Sequence, residues 1–168
     1  MKKPALSLAL SALAVASAHA HVTIENPDVT AGAYAKVVLQ VTHGCEGSPT
    51  RAVTVFVPPG FLLAKARAKP GWSVSYEQAP LARPIDLHGR QVSKTTSVVK
   101  WEGGLLPNDQ FDEFALMGRV ADDARGAMSF RVLQTCDKGE LDWKGAPGDE
   151  APAAVLNVAP ASGEHRHH

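Results

Sequence analysis

Short runs in which apolar and polar residues alternate recur along most of the chain, separated by breaks rich in Pro, Gly, Asn and Asp. Beyond residue 20, no segment keeps an apolar spacing of about 3.6 residues for three turns, so the pattern predicts strands. The predicted strands are His21–Glu25, Tyr34–Thr42, Ala52–Val57, Trp72–Gln78, Ser93–Trp101, Phe111–Val120, Ala127–Gln134 and Ala154–Val158. The segment Phe61–Lys69 fits a helical turn and an irregular strand equally well.

Many short strands in one small domain favour two packed sheets. We therefore predict an all-β fold, an immunoglobulin-like two-sheet β-sandwich, with a closed barrel as the second choice. The pattern does not determine the order of the strands.

The first twenty residues have the features of a secretory signal. Lys2 and Lys3 give the positive start, an apolar run follows, and Ala18-His19-Ala20 is a small-x-small cleavage site. The apolar run is about a dozen residues, shorter than the roughly 20 that span a bilayer, so we expect no membrane span. We expect a periplasmic or secreted protein, cleaved after Ala20 or, at a second small-x-small site, after Ala18.

Composition divides the chain into three parts: the signal at 1–20, one domain at 21–158 and a polar, disordered tail at 159–168. The chain carries 17 Lys and Arg against 17 Asp and Glu, and loss of the signal makes it slightly acidic. No long basic run is present, so we expect no nucleic-acid partner. The tail histidines His165, His167 and His168 could collect metal weakly.

The only two cysteines are Cys45 and Cys136. An even count in an exported chain favours a disulfide, because that compartment is oxidising. The alternative, a thiolate metal pair, lacks the close spacing of cysteine-based metal sites. We therefore predict a disulfide with a stabilising role.

Signal removal places a histidine at the new N-terminus. The α-amine and the imidazole Nδ1 of His21 can close a chelate ring on one metal, and nitrogen-rich tetragonal ligation suits Cu(II). Cleavage after Ala18 would instead expose His19, with His21 third, which is also a strong square-planar Cu(II) chelate. Taken alone, a terminal histidine also arises by chance.

A series of short motifs, in order, covers nearly the whole mature chain. They are His21-Val22-Thr23 with Pro27 and Tyr34, His43-Gly44-Cys45 with Ser48-Pro49-Thr50, Pro70-Gly71-Trp72, Trp101 with Gly103-Gly104, Phe111-Asp112-Glu113-Phe114, Gln134-Thr135-Cys136, and Trp143-Lys144-Gly145. Together these motifs resemble the YcnI-like copper-binding domain family.

The resemblance implies an immunoglobulin-like sandwich that holds Cu(II) by a single-histidine brace. His21 would supply the amine and imidazole, and a carboxylate would complete the site. Glu113 matches the family's aromatic-x-acidic-Phe position, while Asp112 and Glu102 stay open as alternatives. Strand alternation sets Glu113 on the face opposite Phe114, whereas Asp112 shares the Phe114 face and needs a partner if buried.

The resemblance also implies a tryptophan beside the metal. Trp143, in its Trp-x-Gly context, is the best match, whereas Trp72 and Trp101 have the character of core residues. His43 is an alternative ligand, although its place beside Cys45 equally suits a hydrogen-bonded structural residue.

These observations predict an exported Cu(II)-binding protein that stores, buffers or delivers copper, with a copper-trafficking protein as its partner. We expect no enzymatic activity, because no nucleophile triad, phosphate loop or paired-carboxylate motif stands out. The alternatives are a copper oxidase or oxygenase with an open metal position, and a β-sandwich interaction module that binds no metal.

Overall fold

The computed structural model describes residues 21–161. The predicted signal and the tail histidines His165, His167 and His168 lie outside the described residues. Within this range the secondary structure consists of eleven strands: β1 (Thr23–Glu25), β2 (Asp28–Thr30), β3 (Tyr34–Val41), β4 (Thr50–Phe56), β5 (Phe61–Ala66), β6 (Ser73–Leu87), β7 (Arg90–Leu106), β8 (Asp112–Val120), β9 (Gly126–Cys136), β10 (Glu140–Trp143) and β11 (Ala154–Ala159). Nothing between residues 21 and 161 forms a helix of the length and apolarity that crossing a membrane requires.

The strands form two sheets. One has four strands in the order β1-β3-β8-β5, and the other has the order β2-β11-β9-β4-β7-β6, with β10 also paired to β9. The pairings are antiparallel except for β2 with β11. The prediction of an all-β, two-sheet sandwich is therefore confirmed.

Alternation along the strands builds the core between the sheets. Val37 and Leu39 of β3 are completely buried, and so are Phe130 and Val132 of β9 in the facing sheet. Trp101 is also completely buried, as predicted, whereas Trp72 is half-buried and packs at the edge of the core. This apolar burial is the main stabilising contribution to the fold.

Strands β2 and β10 are absent from the predicted set. Both are short, with three residues in β2 and four in β10, so neither offers enough alternating positions to stand out as a strand. The ambiguous segment after the Pro58-Pro59-Gly60 break forms strand β5, so its interpretation as a helical turn is wrong.

The β6–β7 hairpin is longer than predicted. Strand β6 continues past its predicted end at Gln78, through a register shift after Pro80, because an edge strand tolerates proline's missing N–H. The hairpin turns at His88-Gly89, where φ is +54° and +75°. Two adjacent residues in the left-handed region are typical of a tight hairpin turn.

The predicted disulfide is present. It joins Cys45, in the segment after β3, to Cys136 at the end of β9, with the Cα atoms 5.9 Å apart and a sequence separation of 91. The bond therefore links the segment that follows β3 of the four-stranded sheet to the end of β9, an interior strand of the other sheet.

Replacing both cysteines, as C45S/C136S, should lower the free energy of unfolding by about 2–5 kcal/mol, because the unfolded chain loses a long cross-link. Guanidinium denaturation measures this change. Reduced and alkylated wild-type protein should unfold at the same lowered midpoint, and an unchanged midpoint in both samples would contradict the assignment.

Candidate metal centre

His21 lies two residues before β1, at the edge of the four-stranded sheet. Val22 and Ile24 face the core, and His21 itself is half-buried with its Nε2 atom buried. Strand β1 pairs with β3 in the register Thr23 to Gln40. The start of β1 therefore adjoins the end of β3, and His21 and His43 each lie two residues beyond these strand ends.

A buried indole lies between the ends of the two sheets. Trp143, the last residue of β10, is 4% exposed and pairs with Val132 of β9. Its ring centroid lies 6.0 Å from that of His21 and 6.0 Å from that of His43, both in edge-to-face arrangements. The structure therefore brings the predicted N-terminal histidine, the predicted tryptophan and the alternative ligand His43 into one ring cluster.

A buried amide holds this cluster together. Trp143 Nε1 donates to Gln134 Oε1 at 3.1 Å, while Gln134 Nε2 donates to the His43 carbonyl at 2.6 Å and to Thr50 Oγ1 at 2.8 Å. Gln134 and Thr50 are both completely buried. Polar groups buried in this way hold their neighbours in one orientation, because an unmade bond there is costly.

The segment that carries His43 is tightly held. The Gly44 N–H donates to Asn108 Oδ1 at 3.2 Å, and Cys45 is in the disulfide. A Cβ atom at Gly44 would lie 1.8 Å from the Ser48 carbonyl oxygen, so only glycine fits at this close approach. The backbone beside His43 is thus set by covalent, hydrogen-bonding and steric constraints together.

Glu113 lies on β8, separated from β1 by β3. The registers align Thr23, Gln40 and Glu113 in one cross-strand row on the outward face, while Phe114 faces the core. Glu113 therefore lies on the predicted face of β8, two strands away from Thr23.

The two alternative carboxylates lie elsewhere. Asp112 is half-buried and pairs with Lys69 Nζ at 2.6 Å, which supplies the partner that its position requires. Glu102 lies on β7 of the other sheet, where it pairs with Lys100 Nζ at 2.5 Å. Between residues 21 and 161, no three or more His, Cys, Asp or Glu side chains are grouped to hold a metal. The imidazoles of His21 and His43 lie together beside Trp143, whereas no candidate carboxylate is grouped with them among these residues.

An ion-pair cluster lies on β10 next to Trp143. The Asp142 carboxylate accepts hydrogen bonds from Arg131 Nε at 2.8 Å, Arg131 Nη2 at 2.9 Å and Lys144 Nζ at 2.8 Å. The hydrogen bonds from Arg131, with a smaller contribution from Lys144, lower the pKa of Asp142 to about 2. This two-pronged contact holds β10 against β9 on the outward side.

Gln134 was not predicted as a site residue, although a signal was available. On β9 it shares the alternating face of Phe130, Val132 and Cys136, all of which are buried. A glutamine at an inward position of an apolar strand requires buried hydrogen-bond partners.

Fold and site together define an immunoglobulin-like β-sandwich with a cluster of two imidazoles and an indole at one end. The chain belongs to the family described as a domain of unknown function, DUF1775, whose model matches residues 21–160. This is a YcnI-type family, so the resemblance predicted from the motifs is confirmed at the level of the family.

A solved structure supports the fold assignment. An uncharacterised protein from Nocardia farcinica with an immunoglobulin-like fold matches with a TM-score of 0.62 and 26% identity, over 83% of this chain and 98% of that chain. The seventh ScaB type I cohesin from Pseudobacteroides cellulosolvens matches with a TM-score of 0.42 and 14% identity, over 88% of this chain and 97% of its own. A comparison with curated proteins finds no significant match.

Substituting Gln134→Leu should destabilise the fold by at least about 1–3 kcal/mol, since the Trp143 N–H, the Thr50 hydroxyl and the His43 carbonyl lose their shared partner. Chemical denaturation measures the loss, and near-UV circular dichroism reports the indole environment. The same change at exposed Gln91 is the matched control and should leave both unchanged. Equal stability of the two variants would contradict the network's role.

Asp142 should contribute stability that depends on pH. Its folded-state pKa of about 2 lies below its ordinary value of 3.8, so the contribution is complete above about pH 4 and disappears as pH falls through 2. The difference in melting temperature between wild type and Asp142→Asn should therefore shrink between pH 4 and pH 2. Salt should reduce it too, because Arg131 is 42% exposed. A difference that is constant with pH would contradict this assignment.

Proposed function

We propose that the mature chain is an exported Cu(II)-binding protein of copper homeostasis, which stores, buffers or delivers copper to a trafficking protein. In this proposal it is a periplasmic or secreted binding protein and not an enzyme. The observation that carries it is the position of His21, whose ring packs 6.0 Å from the buried indole of Trp143.

The donor chemistry of His21 suits copper. Once the signal is cleaved, the α-amine and Nδ1 belong to the same residue and can chelate one ion, a nitrogen set that Cu(II) binds above other divalent first-row ions. Chelation uses Nδ1, and the burial of Nε2 against the protein is compatible with that orientation. Histidine ligation also releases protons, so binding should strengthen from acid to neutral pH.

Glu113 is the carboxylate that we propose to complete the site. It lies on the outward face in the row that begins at Thr23 of β1, the strand that His21 precedes. Asp112 and Glu102 are the weaker candidates, since each is held by a lysine.

Trp143 would act beside the metal without binding it. A buried indole excludes water from one side of the site and lowers the local dielectric, both of which influence the redox potential of a nearby ion. Its hydrogen bond to Gln134 keeps the ring in one orientation for this purpose.

A free N-terminus at His21 should be essential for tight Cu(II) binding. Mature protein beginning at His21 should bind at least about tenfold more tightly, a difference of about 1.4 kcal/mol, than protein extended by one N-acetylated alanine, because the acetylated extension leaves no free amine beside the His21 imidazole. Competition with a chromophoric Cu(II) chelator measures both affinities.

The tail histidines His165, His167 and His168 are replaced by alanine in every sample, so that they do not compete for copper. His21→Ala should lose affinity as the extended protein does, and His88→Ala, in the distant hairpin turn, should not. Equal binding by the mature and extended proteins would overturn the proposed function.

A further inference from the structure

His43, like His21, packs edge-to-face beside the indole of Trp143. Both ring centroids lie 6.0 Å from that of Trp143, and both histidines lie two residues beyond the adjoining ends of β1 and β3. Of the three histidines between residues 21 and 161, only His88 lies away from this cluster, in the β6–β7 turn. Two imidazoles therefore converge on one end of the sandwich.

The protonation of the His43 ring follows from its hydrogen bond. Nδ1 contacts the Gly44 carbonyl oxygen, and a carbonyl oxygen can only accept, so Nδ1 carries the proton. In the neutral ring, Nε2 is then the nitrogen with the lone pair that a metal uses. Histidines that bind metals commonly donate their other N–H to a backbone carbonyl in this way.

The backbone next to His43 is held by contacts that do not involve a metal. Its carbonyl accepts from Gln134 Nε2, the next N–H donates to Asn108, and the disulfide begins two residues later at Cys45. A ligand on a preorganised backbone gives up little conformational entropy on binding, which favours affinity.

We propose that His43 is a second imidazole ligand of the copper site, binding through Nε2. Resting on the proposed function, this gives three nitrogen donors: the amine and Nδ1 of His21, and Nε2 of His43. Three nitrogens suit the tetragonal preference of Cu(II). In this arrangement the new N-terminus and the disulfide-linked segment that carries His43 bind the same ion.

The test counts imidazoles on the copper. Mature protein without the tail histidines is loaded with Cu(II) and examined by electron paramagnetic resonance and by pulsed methods that detect the remote imidazole nitrogen. Wild type and the His88→Ala control should each show two coordinated imidazoles. A spectrum with a single coordinated imidazole in copper-loaded wild type would overturn the role of His43. This measurement does not depend on the folding of any variant.

A conservative variant separates ligation from folding. His43→Asn keeps an amide N–H that can reach the Gly44 carbonyl but removes Nε2. It should retain the disulfide and the wild-type melting temperature, show one imidazole and bind Cu(II) at least about tenfold more weakly. Wild-type affinity and two imidazoles in folded His43→Asn would also overturn the inference.

The two proposals fail in different ways. If mature wild type does not bind Cu(II), or if the N-terminally extended protein binds equally well, the proposed function itself is wrong. If the extension abolishes tight binding while His43→Asn has no effect, the proposed function stands and the second imidazole does not.

Discussion

The buried amide of Gln134 is the interaction on which the candidate site depends. It joins three segments that are distant in sequence: the indole of Trp143 on β10, the backbone of His43 after β3, and Thr50 at the start of β4. A completely buried amide must satisfy its donors and acceptor inside the protein. Because of this requirement, the Trp143 ring and the loop that carries His43 are held together at one end of the sandwich.

The disulfide acts on the same two segments as this amide. Cys45 follows His43 by two residues, and Cys136 follows Gln134 by two, so a covalent and a polar link join the loop to β9. Both links order the end of the sandwich against which the His21 ring packs. In the proposed copper site, this order would make a terminal histidine a selective ligand.

The alternation of apolar residues was sufficient to predict the two-sheet fold, the face of Glu113 and the need of Asp112 for a partner, which proved to be Lys69. It failed for β10, because four residues give only two polar–apolar alternations, too few to distinguish a strand from a loop. It also failed for the long β6–β7 hairpin, because edge position, which no local pattern reports, is what makes its prolines tolerable.

By itself, the sequence determined the strand-rich fold and the cysteine pair, since these depend on local periodicity and residue count, while the predicted terminal histidine rests on a local cleavage motif. Only the tertiary structure decided that His21 and His43 both adjoin Trp143 and that Glu113 lies across an intervening strand from β1. These contacts join positions about 20 to 120 residues apart. They depend on strand order and register, which arise from packing the whole chain and not from any one segment.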